Sequence, residues 1–251
     1  MDEKLLDLVN QAKKYEKELP SKPKVEVLVK SLSSYLDCAL HNAEATPAMI
    51  EKLCAEAVEN KYATVFVNPV FVPMVKQHLA GSAVNVGTVA GFPLGGFPTH
   101  IKVAEARAYV EAGANEIDMV MLVGLLKAGA YQQVYDDILA VVQTVHALGG
   151  IVKVILETAV LTRYEKIIAC LISKAAGADF VKTSTGFSKG GATVEDIDLM
   201  RRVVGPTSEM GVKAAGGIHT LNEAMAMIEA GADRLGTRMA AEILGEHQHQ
   251  G

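Results

Sequence analysis

Three lysines stand where lysine is costly. Lys182 ends the apolar run Phe180-Val-Lys182, just ahead of Thr183-Ser-Thr-Gly186. Lys153 lies inside Ile151-Val-Lys-Val-Ile-Leu156, and Lys213 inside Gly211-Val-Lys-Ala-Ala-Gly-Gly-Ile218. A buried ammonium loses hydration, so its pKa falls, and a second cation beside it lowers it further. A neutral amine made in this way is the nucleophile of Schiff-base chemistry. A single lysine at a strand end often just reaches out to solvent. Three on apolar strands of one chain point to a site instead. Asp118, in Glu116-Ile-Asp-Met119, is an acid within an apolar run, so it must be paired or used. A structural ion pair with Lys153 is the plainer alternative for it.

These side chains need elements that bring them together. Residues 1–18 read as an amphipathic helix with Leu5, Leu8, Val9, Ala12 and Tyr15 on one stripe. Pro20 and Pro23 end it, and the helix is expected to cap one end of the domain. From about residue 35 strands and helices alternate. The strands are expected at 35–40, 64–68, 85–89, 116–121, 152–156, 180–183, 211–214 and 234–236. Helices are expected at 47–60, after Pro69, and at 99–112, 131–148, 163–176, 194–204, 221–230 and 239–244. Eight strands each followed by a helix predict a closed parallel (β/α)8 barrel, of the TIM type, in a single domain. A repeat supports that count. Ala112-Gly-Ala-Asn-Glu-Ile117, Ala176-Gly-Ala-Asp-Phe-Val181 and Ala230-Gly-Ala-Asp-Arg-Leu235 introduce strands four, six and eight. The division expected is an N-terminal helical extension (1–34), the barrel (35–245) and a solvated tail (246–251).

The composition excludes several functions. The chain has 251 residues, half of them hydrophobic, and a formal net charge of −5, which argues against a general nucleic-acid binder. It has no apolar run long enough for a membrane span. It opens Met1-Asp-Glu-Lys with no apolar signal core. Cys38, Cys54 and Cys170 have no metal spacing, and an odd count in a large core suggests reduced thiols and a cytoplasmic protein. Neither a metal motif nor a P-loop is found, and no cofactor is expected.

In a (β/α)8 barrel the functional residues gather at the C-terminal ends of the strands. Lys182, Lys213, Lys153 and Asp118 then become neighbours, contributed by strands six, seven, five and four. At this point the chain resembles a known family. Val181-Lys-Thr-Ser-Thr-Gly-Phe187 with Gly190-Gly-Ala-Thr193, and Asn115-Glu-Ile-Asp-Met119, are similar to 2-deoxyribose-5-phosphate aldolases. So are Val152-Lys-Val-Ile155 with Glu157-Thr158, Gly91-Phe-Pro-Leu-Gly95, Val67-Asn-Pro69 and Val212-Lys-Ala-Ala-Gly-Gly217. The resemblance implies a metal-free class I aldolase that reversibly cleaves 2-deoxyribose 5-phosphate to glyceraldehyde 3-phosphate and acetaldehyde. It implies Lys182 as the Schiff-base lysine, Lys213 as the cation keeping it neutral, and Asp118 moving protons with Lys153 and a water. Asp37, Asn68, Thr185 and the backbone of Gly186, Gly216, Gly217 and Gly236 would bind substrate.

The chain departs from the family around the mouth. The family's serine-bearing phosphate motif after strand eight is Gly236-Thr-Arg-Met-Ala240 here. Arg238 can grip an anion bidentately or pair with another polar substrate. Cys38-Ala39 replaces a His/Leu-Thr pair, Phe66 replaces a cysteine ahead of Val67-Asn-Pro69, and Ser188-Lys-Gly-Gly191 and Gly96-Phe-Pro98 are unusual. Ala39, Phe66 and Arg238 are therefore expected to line an altered pocket. Two alternatives to the aldolase are a carboligase joining unphosphorylated aldehydes or enals through the same lysine iminium, and a non-catalytic sugar-phosphate-binding barrel. Partners are expected to be small aldehydes or sugar phosphates, with a homodimer possible and neither nucleic acid nor membrane.

Overall fold

A computed structural model describes residues 2–24 and 31–250. Residues 1, 25–30 and 251, parts of the expected extension and tail, lie outside the described residues. Eight parallel strands close into a barrel in sequence order, each paired with its chain neighbours and β8 with β1. They are β1 (Leu36–Leu40), β2 (Thr64–Val67), β3 (Asn85–Ala90), β4 (Glu116–Val120), β5 (Ile151–Ile155), β6 (Phe180–Lys182), β7 (Gly211–Ala215) and β8 (Arg234–Thr237). Every strand end falls within one residue of the sequence expectation. Around them run α2 (Pro47–Asn60), α3 (Val72–His78), α4 (Thr99–Glu111), α6 (Tyr131–Ala147), α7 (Arg163–Ala175), α8 (Val194–Val204), α9 (Leu221–Ala230) and α10 (Ala240–Gln250). Among the described residues no helix is long and apolar enough to cross a membrane.

The repeat has a physical purpose. Gly113, Gly177 and Gly231 all take positive φ, ending their helices at no steric cost. Two residues later a short polar side chain accepts from the second N–H of the preceding strand. Asn115 takes Val86 N–H at 3.0 Å, Asp179 takes Val152 N–H at 2.8 Å, and Asp233 takes Val212 N–H at 2.8 Å. The repeat thus pins strands four, six and eight each to the odd-numbered strand before it. At the opposite, C-terminal face, threonines fix the helix starts. Thr162 and Thr220 form capping boxes with Glu165 and Glu223, and Thr46 and Thr193 cap α2 and α8.

Four differences from the sequence reading have simple causes. The N-terminal helix α1 (Glu3–Lys17) does not cap an end of the barrel but packs on the outside of α7. Its stripe of Leu5, Val9 and Ala12 is buried there, and Lys4 Nζ donates to the Ala175 carbonyl at 3.0 Å. This explains why α7 is apolar on more than its barrel side: it is covered twice. After Pro69 the chain makes a 3-10 turn before α3 begins. A short helix α5 (Val123–Lys127) precedes α6, and it carries no side-chain cap by which the sequence would mark it. Finally, α10 runs on to Gln250, and Glu246 accepts from Leu221 N–H at 2.8 Å, so the expected free tail begins as ordered helix.

Candidate active site

The strand register fixes the site. Asp118 lies opposite Lys153 across β4 and β5, and Lys182 opposite Lys213 across β6 and β7. Beyond the ladder, the Thr183 hydroxyl bridges β6 to β7, donating to the Ala215 carbonyl and accepting from Ala215 N–H at 3.1 and 3.0 Å. The two lysines therefore leave the sheet side by side. One oxygen of Asp118 accepts from both, at 2.7 Å from Lys182 Nζ and 2.9 Å from Lys213 Nζ. Lys213 also pairs with Asp37 at 2.7 Å, and Asp37 with Arg234 at 2.9 Å. Lys153 sits deeper. Its nearest partner is Glu116, while Asp37 and Asp118 stand at 3.6 and 3.7 Å. The pairing of Asp118 with Lys153 weighed from sequence is thus the weaker contact of each partner.

Phe66 fills the centre of this layer. Its ring centroid is 3.6 Å from Lys213 Nζ, 4.7 Å from Lys153 Nζ and 5.9 Å from Lys182 Nζ. A ring face favours a cation most at the shortest distance, so Phe66 supports Lys213 and Lys153 more than Lys182. Gly87 lies opposite Phe66 in register, and a Cβ there would collide with the ring. This corrects the expectation that Phe66 lines the pocket. It is fully buried beneath the lysines and serves as their floor.

The buried charges leave one amine in excess. The buried Lys153, Lys182 and Lys213, with the partly exposed Arg234, face three buried carboxylates, Asp37, Glu116 and Asp118. Neutrality is reached when one basic group gives up its proton. For Lys153, burial alone would lower the pKa, but Glu116, Asp37 and Asp118 outweigh it and hold the ammonium above its ordinary range. For Lys182, burial dominates, and with the positive charge of Lys213 it outweighs Asp118, bringing the amine down to about 8. Burial works against the Asp118 carboxylate, yet Lys182, Lys213 and Lys153 together hold it well below the usual carboxylate range. Asp37 is likewise held down at about 2, where Lys213, Lys153 and Arg234 overcome its burial.

Above this layer opens a cleft of about 400 Å³. Lys182, Lys213, Ala39, Thr185 and Gly186 line it, as do Gly216, Gly217, Gly236 and Arg238. Asp118, Lys153 and Asp37 do not line it. They lie underneath as the charge lattice, so Asp37 is a partner of Lys213 where substrate contact was expected. Asn68 is outside too: its amide donates to the Asn42 carbonyl at 3.1 Å and ties two loops together. Arg238 reaches the rim, where its guanidinium donates to Asn42 Oδ1 at 2.7 Å.

Several residues escaped the sequence reading. Arg234 and Glu116 begin their strands, where charged residues ordinarily meet solvent, and no local pattern marks them as interior. Glu157 holds a left-handed backbone (φ 58°) and accepts from the Thr185 hydroxyl at 2.6 Å, which positions the loop after β6. A left-handed non-glycine residue is costly and commonly marks a functional turn. His41, in the loop after β1, lines the cleft and belongs to no motif. The cysteines are all buried and free. Burial, with Glu56 nearby, pushes the Cys38 thiol up to about 12, and burial with Glu51 pushes Cys54 up to about 11.

A closed parallel barrel with a buried, weakly basic lysine facing a strand-end cleft defines a lyase of the aldolase class. The chain belongs to the DeoC/LacD family of aldolases, whose family model matches residues 35–246. It is 53% identical over 215 residues to the deoxyribose-phosphate aldolase of Thermococcus gammatolerans, covering 85% of this chain and 95% of the relative. It is 54% identical over 209 residues to that of Thermotoga petrophila, covering 82% and 83%. Among solved structures, the tetrameric deoxyribose phosphate aldolase of Aeropyrum pernix superposes with a TM-score of 0.81 at 29% identity, covering 98% of this chain and 99% of that one.

Proposed function

We propose that this aldolase cleaves 2-deoxyribose 5-phosphate to acetaldehyde and glyceraldehyde 3-phosphate through an imine on Lys182. The observation that carries this reading is the Lys182 amine, brought to about 8 by burial and Lys213, at the floor of the cleft. At neutral pH roughly a tenth of such an amine is unprotonated, some hundreds of times more than for an ordinary lysine. The neutral amine adds to the C1 aldehyde, and the carbinolamine loses water to give an iminium. A base takes the C3 hydroxyl proton as the C2–C3 bond breaks. The bonding pair passes into the iminium, leaving an enamine and glyceraldehyde 3-phosphate. Protonation of the enamine at C2 and hydrolysis release acetaldehyde and restore the amine.

Asp118 suits the proton transfers because its basicity follows the charge on Lys182. Of the charges that hold its carboxyl down, Lys182 has the largest effect. At each neutral stage, carbinolamine and enamine, that charge is gone and the carboxylate becomes a better base. Lys153 has no place along the cleft, and its part is to hold Asp118 and Glu116 in register. Incubation with acetaldehyde and borohydride tests the reading. Mass spectrometry is expected to find one added ethyl group, on the Lys182 peptide, and an unmodified Lys182 would sink the covalent route.

Arg238, the open backbone at Gly186 and Gly217, and the neighbouring Gly216 form the phosphate end in this proposal. A side chain at Gly186 or Gly217 would meet nothing within 4 Å, so a phosphate can approach the main chain closely there. Asn42 presets the guanidinium. Replacing Arg238 with alanine is expected to lower kcat/KM for deoxyribose 5-phosphate by about 10- to 100-fold, the worth of a charge-assisted hydrogen bond. Unphosphorylated deoxyribose is expected to change by no more than about twofold. Equal losses on both substrates would mean that Arg238 does not meet phosphate. The names of the relatives favour the phosphorylated sugar over the carboligase alternative. Self-association through the outer helices belongs to the proposal, as does a reducing, cytoplasmic setting suited to three free thiols.

A further inference from the structure

His41 is built as though something were missing. Its two ring nitrogens are both buried, and neither has a hydrogen-bond partner within the protein. The ring stands between two aromatic rings, 6.3 Å from the centroid of Phe66 and 5.7 Å from that of Phe92, and Phe92 in turn packs edge-on to Phe187 at 5.3 Å. An apolar side chain would fill that aromatic column without loss. Leaving a buried polar atom unpaired costs about 1–3 kcal/mol. Yet His41 also lines the cleft that holds Lys182, so a molecule bound there is placed to supply the missing partner.

We infer that His41 is a hydrogen-bonding residue for the C4 hydroxyl of the bound sugar phosphate, the one between the reacting carbons and the phosphate. The inference rests on the functional reading above and adds a specificity-determining contact to it. The neutral state of the ring and its place in the cleft select a hydroxyl over the phosphate. Burial, then the charges of Lys182, Lys213 and Arg238, outweigh the opposing pull of Asp118 and hold the imidazole at about 3, so it is neutral across the working pH range. A neutral ring offers one N–H donor and one bare nitrogen acceptor, which suits a hydroxyl and repels an anion on one side. The ring lines the same cleft as Lys182, where the carbonyl reacts, and Arg238, at the proposed phosphate end, which sets it beside the carbon chain that joins them. The neighbouring Asn42 holds Arg238, so one short loop sets both contacts.

The test follows the reaction in the synthetic direction, with acetaldehyde as donor and two acceptors, D-glyceraldehyde 3-phosphate and 3-phosphopropanal, which lacks the hydroxyl. The wild-type protein is expected to favour the hydroxylated acceptor in kcat/KM. In His41→Phe, which completes the aromatic column, that preference is expected to fall by about 10- to 100-fold, while His41→Gln keeps part of it. An unchanged preference in both variants would overturn the contact. Should His41→Phe fail to fold, His41→Leu takes its place, because a side chain that only packs would leave the preference unchanged after either change. Trapping of acetaldehyde on wild-type Lys182 is read in parallel. Absence of that adduct defeats the functional reading, whereas an adduct with an unchanged preference defeats the His41 contact alone.

Discussion

Replacing Lys182 with methionine is expected to lower the rate of deoxyribose 5-phosphate cleavage by roughly a thousandfold or more and to abolish the borohydride adduct. The protein is expected to remain folded. Methionine matches the length of the lysine stem and leaves Lys153, Lys213 and Arg234 facing Asp37, Glu116 and Asp118, the same balance as the neutral amine. The pH dependence of stability carries a definite sign. With its pKa lowered from 10.5 to about 8, Lys182 binds its proton less readily in the folded state than in the unfolded chain. The resulting penalty is complete below about pH 8 and fades as the pH rises towards 10.5. The methionine variant lacks that penalty, so its thermal midpoint at pH 7 is expected to equal or exceed that of the wild type. A midpoint well below it would mean that the charged form of Lys182 supports the fold. Residual turnover within tenfold of wild type would assign the chemistry to another amine.

Asp118→Asn and Lys213→Met are expected to move the reactivity of Lys182 in opposite directions. Asp118 raises the pKa of that amine and Lys213 lowers it. The rate of imine trapping against pH, which should level off near 8 in the wild type, is expected to level off at lower pH in Asp118→Asn and at higher pH in Lys213→Met. Turnover falls in both, for different reasons. The asparagine variant has a more nucleophilic lysine but no carboxylate to move protons, which costs about 10²- to 10⁴-fold in kcat. The methionine variant keeps the carboxylate and loses the neutral amine at working pH. Midpoints that shift in the same direction would contradict the assigned electrostatics. A rapid-quench measurement of trapping across pH 6 to 10, roughly the span between the two titrating states, separates these cases.

The barrel was legible because its signals are local. The apolar strands and the three-fold Ala-Gly-Ala-Asx repeat each lie within a few residues, and α2, α7, α8 and α9 start on capping threonines. Lys182, Lys213 and Asp118 were legible because a charge in an apolar strand is conspicuous by itself. Phe66 was misplaced for the opposite reason. A phenylalanine in a strand carries no mark of which face it occupies, and only the register against Gly87 shows that its ring fills the interior. Arg234 and Glu116 look like solvent-facing strand starts until closure of the barrel brings them within 3.6 Å of each other. His41 was invisible in kind as well as in place. Its importance lies in two missing hydrogen bonds, and a missing bond has no sequence signature. The position of α1 depended on a partner surface, the outer side of α7, that forms only after folding.

The layer that packs the middle of the barrel is also the layer that reacts. Asp118, Lys153, Lys182 and Lys213 hang from four consecutive strands over a single phenylalanine, and the charge on each sets the basicity of its neighbours. Arg238 and His41 hang from loops, outside that mutual constraint. Inherited variation is therefore channelled. The reaction type is locked to the architecture, because exchanging it for another means rearranging charges on four strands at once. The range of molecules admitted is free to drift at the rim, one residue at a time, while the protein continues to fold.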